Sequence, residues 1–234
     1  MKQIAILSLL LVSTPLRAQY SEPPEDQLPR SIAIGGTLHY GSPQGEFASN
    51  VNAAFGANGF VGWQLGNSPL MVRADLGWDI YGSRSRYVPL GTGPLGLIRV
   101  NVNTTNNIYS GGIGLQAGVP GRSFTPYVGG SIGFAAFVTS SSVSGSDQSN
   151  GAFASSTNYS DGTFAKTVYG GVYLPIGDNG VAVDLGVRYH WNGEARYLTE
   201  RDITFDQGNN PVLSPRFSRA DLLTIHVGVA YKRR

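Results

Sequence analysis

The chain has 234 residues, with 32 glycines against 17 basic and 15 acidic side chains, which is about twice the glycine share and little more than half the charge share of an ordinary soluble domain. A soluble enzyme of this size covers its wet surface with Lys and Glu. Here Lys2, Lys166 and Lys232 are the only lysines, so something other than water is expected to face much of the fold. Zero cysteines exclude disulfides and cysteine metal sites.

At the N-terminus Lys2, an apolar run from Ile4 to Val12, and Ser13-Thr-Pro-Leu-Arg-Ala18 read as the parts of an export signal, residues 1–18. Its removal takes away Lys2 and Arg17 and leaves 15 basic against 15 acidic residues, a net charge of zero. Residues 19–30, with three prolines and three acids, read as an extended periplasmic linker. No later stretch approaches the roughly 20 apolar residues of a transmembrane helix.

From Ile32 onward one pattern recurs: about ten residues in which large apolar side chains alternate with Gly, Ala or polar ones, the period of a strand. Strand one falls near 31–40, with Ile32, Ile34, Leu38 and Tyr40 on the apolar face. Strand two, near 51–65, carries Phe55, Val61, Trp63 and Leu65. Strand three, near 70–81, sorts Val72, Ala74, Leu76, Trp78 and Ile80 from Arg73, Asp75, Gly77 and Asp79. Strands four (107–119), five (125–138) and six (163–175) show Tyr109, Ile113, Leu115 and Val119; Val128, Ile132 and Phe134; and Phe164, Val168, Val172 and Leu174. Strand seven, 181–192, is the cleanest, with Val181, Val183, Leu185, Val187, Tyr189 and Trp191 on one face. Strand eight, 220–232, carries Leu223, Ile225, Val227, Val229 and Tyr231.

The connections alternate in length: 41–50, 82–106, 139–162 and 193–218 are long, whereas 66–69, 120–124 and 176–180 are short and rich in turn residues. An even strand number with all long loops at one end is the layout of an outer-membrane barrel. The second face is Gly, Ala, Ser, Thr and Asn with a few Asp and Arg, which suits a narrow eight-stranded lumen, while the apolar set suits lipid. Trp63, Trp78, Tyr109, Tyr189, Trp191 and Tyr231 fall at or near strand ends on the apolar face, as aromatic girdles do. The alternative is an exported soluble, lipocalin-like barrel with the apolar face turned inward around a ligand.

These hairpins, the Gly-rich strands Tyr127-Val-Gly-Gly-Ser-Ile-Gly-Phe134 and Val168-Tyr-Gly-Gly-Val-Tyr173, and the final strand Leu223-Thr-Ile-His-Val-Gly-Val-Ala-Tyr231 resemble the eight-stranded outer-membrane β-barrel families of the OmpA-like and OmpX-like kind, over residues 31–232. The resemblance implies an all-β, antiparallel up-and-down barrel spanning residues 31–234, in the outer membrane of a Gram-negative cell. It also implies contact with lipid, lipopolysaccharide and the assembly machinery, and a monomer that binds no nucleic acid. One departure is that Lys232-Arg233-Arg234 follow Tyr231, where such barrels usually finish on an aromatic residue.

Motifs with chemical content are few. Gly91-Thr-Gly-Pro-Leu-Gly96 has the letters of a dinucleotide fingerprint, but Pro94 and the strand-like 97–102 follow it and no acid lies between Asp79 and Asp147. It reads better as the tip of a hairpin with arms at 87–90 and 97–102. Inward-parity charges cluster on strands three (Arg73, Asp75, Asp79) and seven (Asp184, Arg188), opposite each other in a ring of eight, so buried cross-lumen pairs are expected. His39, His190 and His226 share the inward parity, with His226 expected nearer the short-turn end. A polar plug is preferred to a gated proton or ion path, that is a narrow channel, and to a shared metal site. An acyl-transfer enzyme needs a Ser, a His base and an acid opening onto lipid, and the lipid-facing parity supplies no His. No catalytic, cofactor or metal residue is therefore assigned. The loops at 82–106, 139–162 and 193–218 are the expected surface for a ligand or protein, the second mobile and polar. In the third, an extension of strand seven through 197–205 is expected to offer a free edge.

Overall fold

The computed structural model describes residues 31–89, 99–119, 124–145, 152–199, 202–205 and 211–232. The expected signal peptide and linker, the Gly91–Gly96 motif and Arg233-Arg234 lie outside the described residues. Eight long strands carry the fold: β1 Ile32–Pro43, β2 Ala54–Gln64, β3 Leu70–Pro89, β4 Arg99–Gly118, β5 Thr125–Gly145, β6 Ala152–Pro175, β7 Val181–Asn192 and β12 Leu222–Lys232. A short helix α1, Gly45–Ala48, lies between β1 and β2, and the last connection holds β8 Glu194–Tyr197, β9 Ile203–Phe205, β10 Pro211–Leu213 and β11 Arg216–Arg219. Each long strand pairs antiparallel with its sequence neighbour, and β12 closes the ring against β1, so no membrane-level strand edge is left open. The turn from β6 to β7 places Gly177 and Gly180 at φ 65° and 80°, the left-handed region that only glycine enters freely.

The alternation sorts as the membrane reading requires. Leu76 is 74 % exposed, Phe134 70 % and Leu38 68 %, all on the outside, while Arg73 and Asp184 are fully buried in the lumen. An inside-out distribution of this kind excludes the lipocalin-like alternative, in which these two faces would be exchanged. From Phe55 to Leu65 the outward row of β2 and its continuation spans about 33 Å of strand, or about 25 Å of height at the usual tilt, which matches the apolar band of an outer-membrane barrel.

At the loop end β3 runs to Pro89 and β4 starts at Arg99, with Tyr87 opposite Asn101, in line with the hairpin expected within 82–106. Two other expectations are corrected. Much of 139–162 is strand: β5 runs to Gly145 and β6 starts at Ala152. Thr139–Gly145 is therefore paired sheet and not a mobile loop. The 197–205 segment does not extend β7; Gly193 breaks it, and β8 pairs with β11, Arg196 opposite Phe217. The side chains of Tyr197 and Leu198 are fully buried, so the segment turns into the mouth of the barrel instead of offering an edge.

That inward turn builds a second core. Phe47 of α1, Tyr81, Ile108, Phe137, Tyr197 and Leu222 form one buried cluster across the loop-end mouth. The ring of Phe47 meets those of Tyr197, Tyr81 and Phe137 at 5.1, 5.6 and 6.3 Å, within the range of favourable edge and tilted packing. Tyr81 also donates its hydroxyl to the Leu198 carbonyl at 3.2 Å. The interior is thus polar at mid-depth and aromatic at the loop end, where a uniformly small and polar filling was expected.

Candidate functional site: the charged lumen and the raised sheet

The lumen network grows from side chains on opposite walls. Arg73 on β3 donates through Nε and Nη2 to Asp75 at 2.8–3.1 Å and through Nη1 to Gln116 on β4 at 2.8 Å. Arg188 on β7, across the ring, reaches the same Asp75 at 3.1 Å and donates to Asn58 on β2 at 2.7 Å. One carboxylate therefore serves two buried guanidinium groups. Aromatic faces share the load: Arg73 lies over Phe60 at 3.7 Å and over Tyr169 at 4.9 Å, and Arg188 over Tyr169 at 5.6 Å.

The three histidines do not meet. His39 and His226 are cross-strand partners, so His226 sits level with His39 and not nearer the short turns, yet their rings diverge. His39 Nε2 crosses β2 to Asp79 Oδ1 at 2.5 Å, and His226 Nε2 shares a contact with the Tyr127 hydroxyl at 3.1 Å and lies 3.5 Å from Asp184. Tyr127 donates to Asp184 at 2.6 Å. Each histidine passes over a glycine of the adjoining strand: a Cβ on Gly56 would stand 2.6 Å from His39 Nε2, and one on Gly186 would stand 2.7 Å from His226 Cε1. His190 pairs instead with the Thr167 hydroxyl at 3.0 Å. Among the described residues, no group of three or more His, Asp or Glu side chains is placed to hold a metal ion.

Polar atoms without partners gather on the β1–β12–β7 wall: Arg188 Nε and Nη2, Asp184 Oδ2, Thr37 Oγ1, Thr224 Oγ1 and the Nδ1 atoms of His39 and His226. A cavity of about 30 Å³ bordered by Arg188, His190, Tyr169 and Ser131 is large enough for a water molecule. The histidine–carboxylate pairs face this interior and not the lipid, the opposite of what acyl transfer at the membrane needs.

The six aromatic residues expected to form girdles all take outward positions. Trp63 and Tyr231 are near the short-turn end, and Trp78, Tyr109, Tyr189 and Trp191 near the loop end. The Trp78 indole donates to Asn107 at 3.0 Å, an apolar ring with a polar handle where lipid meets water. Above it, β3–β6 continue as a four-stranded sheet whose side chains are mainly Ser, Thr and Asn, tied by Thr104–Ser141 at 2.8 Å, Asn158–Ser141 at 2.7 Å and Thr139–Asn106 at 2.8 Å. Beside it, Arg216 holds Asp202 at 2.9 Å and Asn50 at 2.7 Å, tying the β8–β11 pair to the α1 loop. Burial alone would raise the Asp202 carboxyl, but hydrogen bonds from Arg216 and Thr199 outweigh it and hold the group below its ordinary range.

No family model matches the chain, and no curated protein matches it. Solved structures do. Neisserial surface protein A is 15 % identical, with 86 % of this chain and 96 % of that one covered at a TM-score of 0.48. The attachment invasion locus protein of Yersinia pestis, in complex with the heparin analogue sucrose octasulfate, is 12 % identical, with 87 % and 97 % covered and a TM-score of 0.45. The outer membrane protein OprG of Pseudomonas aeruginosa is 9 % identical, with 88 % and 96 % covered and a TM-score of 0.46. The sorting of faces is read from this chain's own residues. Together with the closed ring, that sorting makes the chain an eight-stranded up-and-down β-barrel of the outer-membrane kind.

Proposed function

We propose that the protein is a non-catalytic barrel of the outer membrane, closed to ions, that acts through the sheet it raises above the lipid. The observation that carries this reading is the continuation of β3–β6 past the girdle. From Phe137 to Gly145, β5 alone adds about 26 Å of strand, paired on both sides. Lipid contact does not require such a rigid, polar projection, and the pairing spares it most of the ordering cost that a loop bears on binding. Closure is supported by the mid-depth ion pairs and by the aromatic cluster at the mouth, both of which stand in the path that water would take.

Two experiments test the two halves. Purified protein in a planar bilayer is expected to stay silent, and steady conductance would overturn closure. Replacing 84–104 and 141–157 by short turns is expected to leave a heat-modifiable barrel while abolishing retention of expressing cells on immobilised matrix and serum proteins. Unchanged retention would remove the surface role.

A further inference from the structure

The outer wall carries one charge. Between the two aromatic levels, the outward positions of the eight barrel strands hold Val, Leu, Ile, Ala, Gly, Pro and aromatic residues; among the described residues the exception is Lys166. It belongs to the exposed row Phe164, Lys166, Val168 of β6, opposite Ile132 of β5 and Trp191 of β7. Tyr189 lies opposite Val168, and its ring is 4.7 Å from that of Trp191. The ammonium is therefore at the loop-end girdle, at headgroup depth, on a wall otherwise cleared of charge. No ion pair of Lys166 is formed among the described residues.

We infer that Lys166 is a binding site for the phosphate of an outer-leaflet glycolipid, the lipid A part of lipopolysaccharide. Its ammonium meets the phosphate, while the exposed Ile132 beside it and Val168 on its short-turn side face the acyl chains. A lysine facing lipid is costly at mid-depth and nearly free at the interface, so its placement at the girdle is tolerable. Its positive charge then matches the phosphates of lipid A, the strongly anionic groups at that depth. Above Trp191 the charges are of both signs, with Glu194 and Arg196 exposed on β8 and Arg219 beside Asp221, so the lone positive charge belongs to the girdle level. The assignment rests on the reading above that the loop end faces out of the cell.

The full mature chain would be folded into vesicles of phosphatidylethanolamine alone, with added lipid A, with dephosphorylated lipid A, or with phosphatidylglycerol. The readout is the temperature at which the compact gel form is lost. Lipid A is expected to raise this midpoint for the wild type and for Lys166→Arg but not for Lys166→Gln, and dephosphorylated lipid A not to raise it for the wild type. Lipid A retained through detergent extraction should fall about fivefold in Lys166→Gln. An undiminished response of Lys166→Gln, or of the wild type to dephosphorylated lipid A, would overturn the site. An equal response to phosphatidylglycerol would overturn the outer-leaflet assignment. Absence of a compact form in phosphatidylethanolamine alone would instead refute the membrane reading itself, so the two failures are distinguishable.

Discussion

Asp75 is the hinge of the lumen, and Asp75→Asn is the most informative single change there. The substitution keeps volume and removes the charge that two guanidinium groups share: Arg73, fully buried, at 2.8 Å and Arg188, 4 % exposed, at 3.1 Å. Breaking a buried ion pair from one side costs about 3–5 kcal/mol, because the remaining charge is left without compensation. Here two cations lose their partner while Gln116, Asn58 and the Phe60 and Tyr169 rings still hold them, so a loss near the lower end, about 3 kcal/mol, is expected. Urea unfolding in vesicles, followed by the gel-shifted fraction, measures it. The double variant Asp75→Asn, Arg188→Met removes one of the orphaned charges and should recover part of the loss. A loss below about 1 kcal/mol, or a double variant less stable than the sum of the singles, would show that the carboxylate is not what holds the arginines.

Other consequences follow from the same geometry. Phe47→Ala removes the ring at the centre of the mouth cluster and should cost about 3–5 kcal/mol, and it should admit a small water-soluble quencher to the Tyr197 region; unchanged stability would argue against the second core. Gly56→Ala places a methyl 2.6 Å from His39 Nε2 and 2.7 Å from Asp79 Oδ1, so it should separate that pair and move the His39 ring resonances in an NMR spectrum, whereas Gly36→Ala, with nothing nearer than 4.0 Å, should not. For Asp202 the folded-state carboxyl is held below its ordinary range, so its stabilising contribution is complete above the unfolded value of about 3.9 and is lost as pH falls through the lower folded value. The β8–β11 segment should therefore stay protease-resistant at pH 5 and become susceptible only in stronger acid, and Asp202→Asn should be susceptible already at pH 7.

The barrel was legible because lipid and lumen impose opposite demands on alternate residues. Val181–Asn192 displays this in full, and the parity of Arg73, Asp75, Asp184 and Arg188 placed them on facing walls before any register was known. Where water lies on both sides, the same backbone pairing leaves little apolar alternation, so β5 and β6 beyond the girdle read as loop, whereas the arms at 87–90 and 97–102, with Val100 and Val102 on one parity, still read as a hairpin. The mouth cluster had a faint signal, a lone Phe47 in a polar connection and the alternation Ala195, Tyr197 in a charged one. Nothing local says that two distant loops pack on each other. The divergence of His39 from His226 depends on inter-strand register and on the space over Gly56 and Gly186, neither of which a single strand contains. Lys166 is legible as a charge that interrupts the apolar row between Phe164 and Val168, but its place at the girdle depends on pairing with Trp191, which strand six alone does not contain.

The central claim, that the apolar face meets lipid, can be tested on the unmodified protein, because its three tryptophans, Trp63, Trp78 and Trp191, all stand on the outer wall, each 39–47 % exposed. The measurement is tryptophan fluorescence in vesicles whose acyl chains carry bromine at graded depths. Strong quenching by bromines near the headgroups, weaker quenching by deep ones and protection from aqueous acrylamide are the results expected of residues in two girdles. Tryptophans indifferent to brominated chains and open to acrylamide would contradict the account.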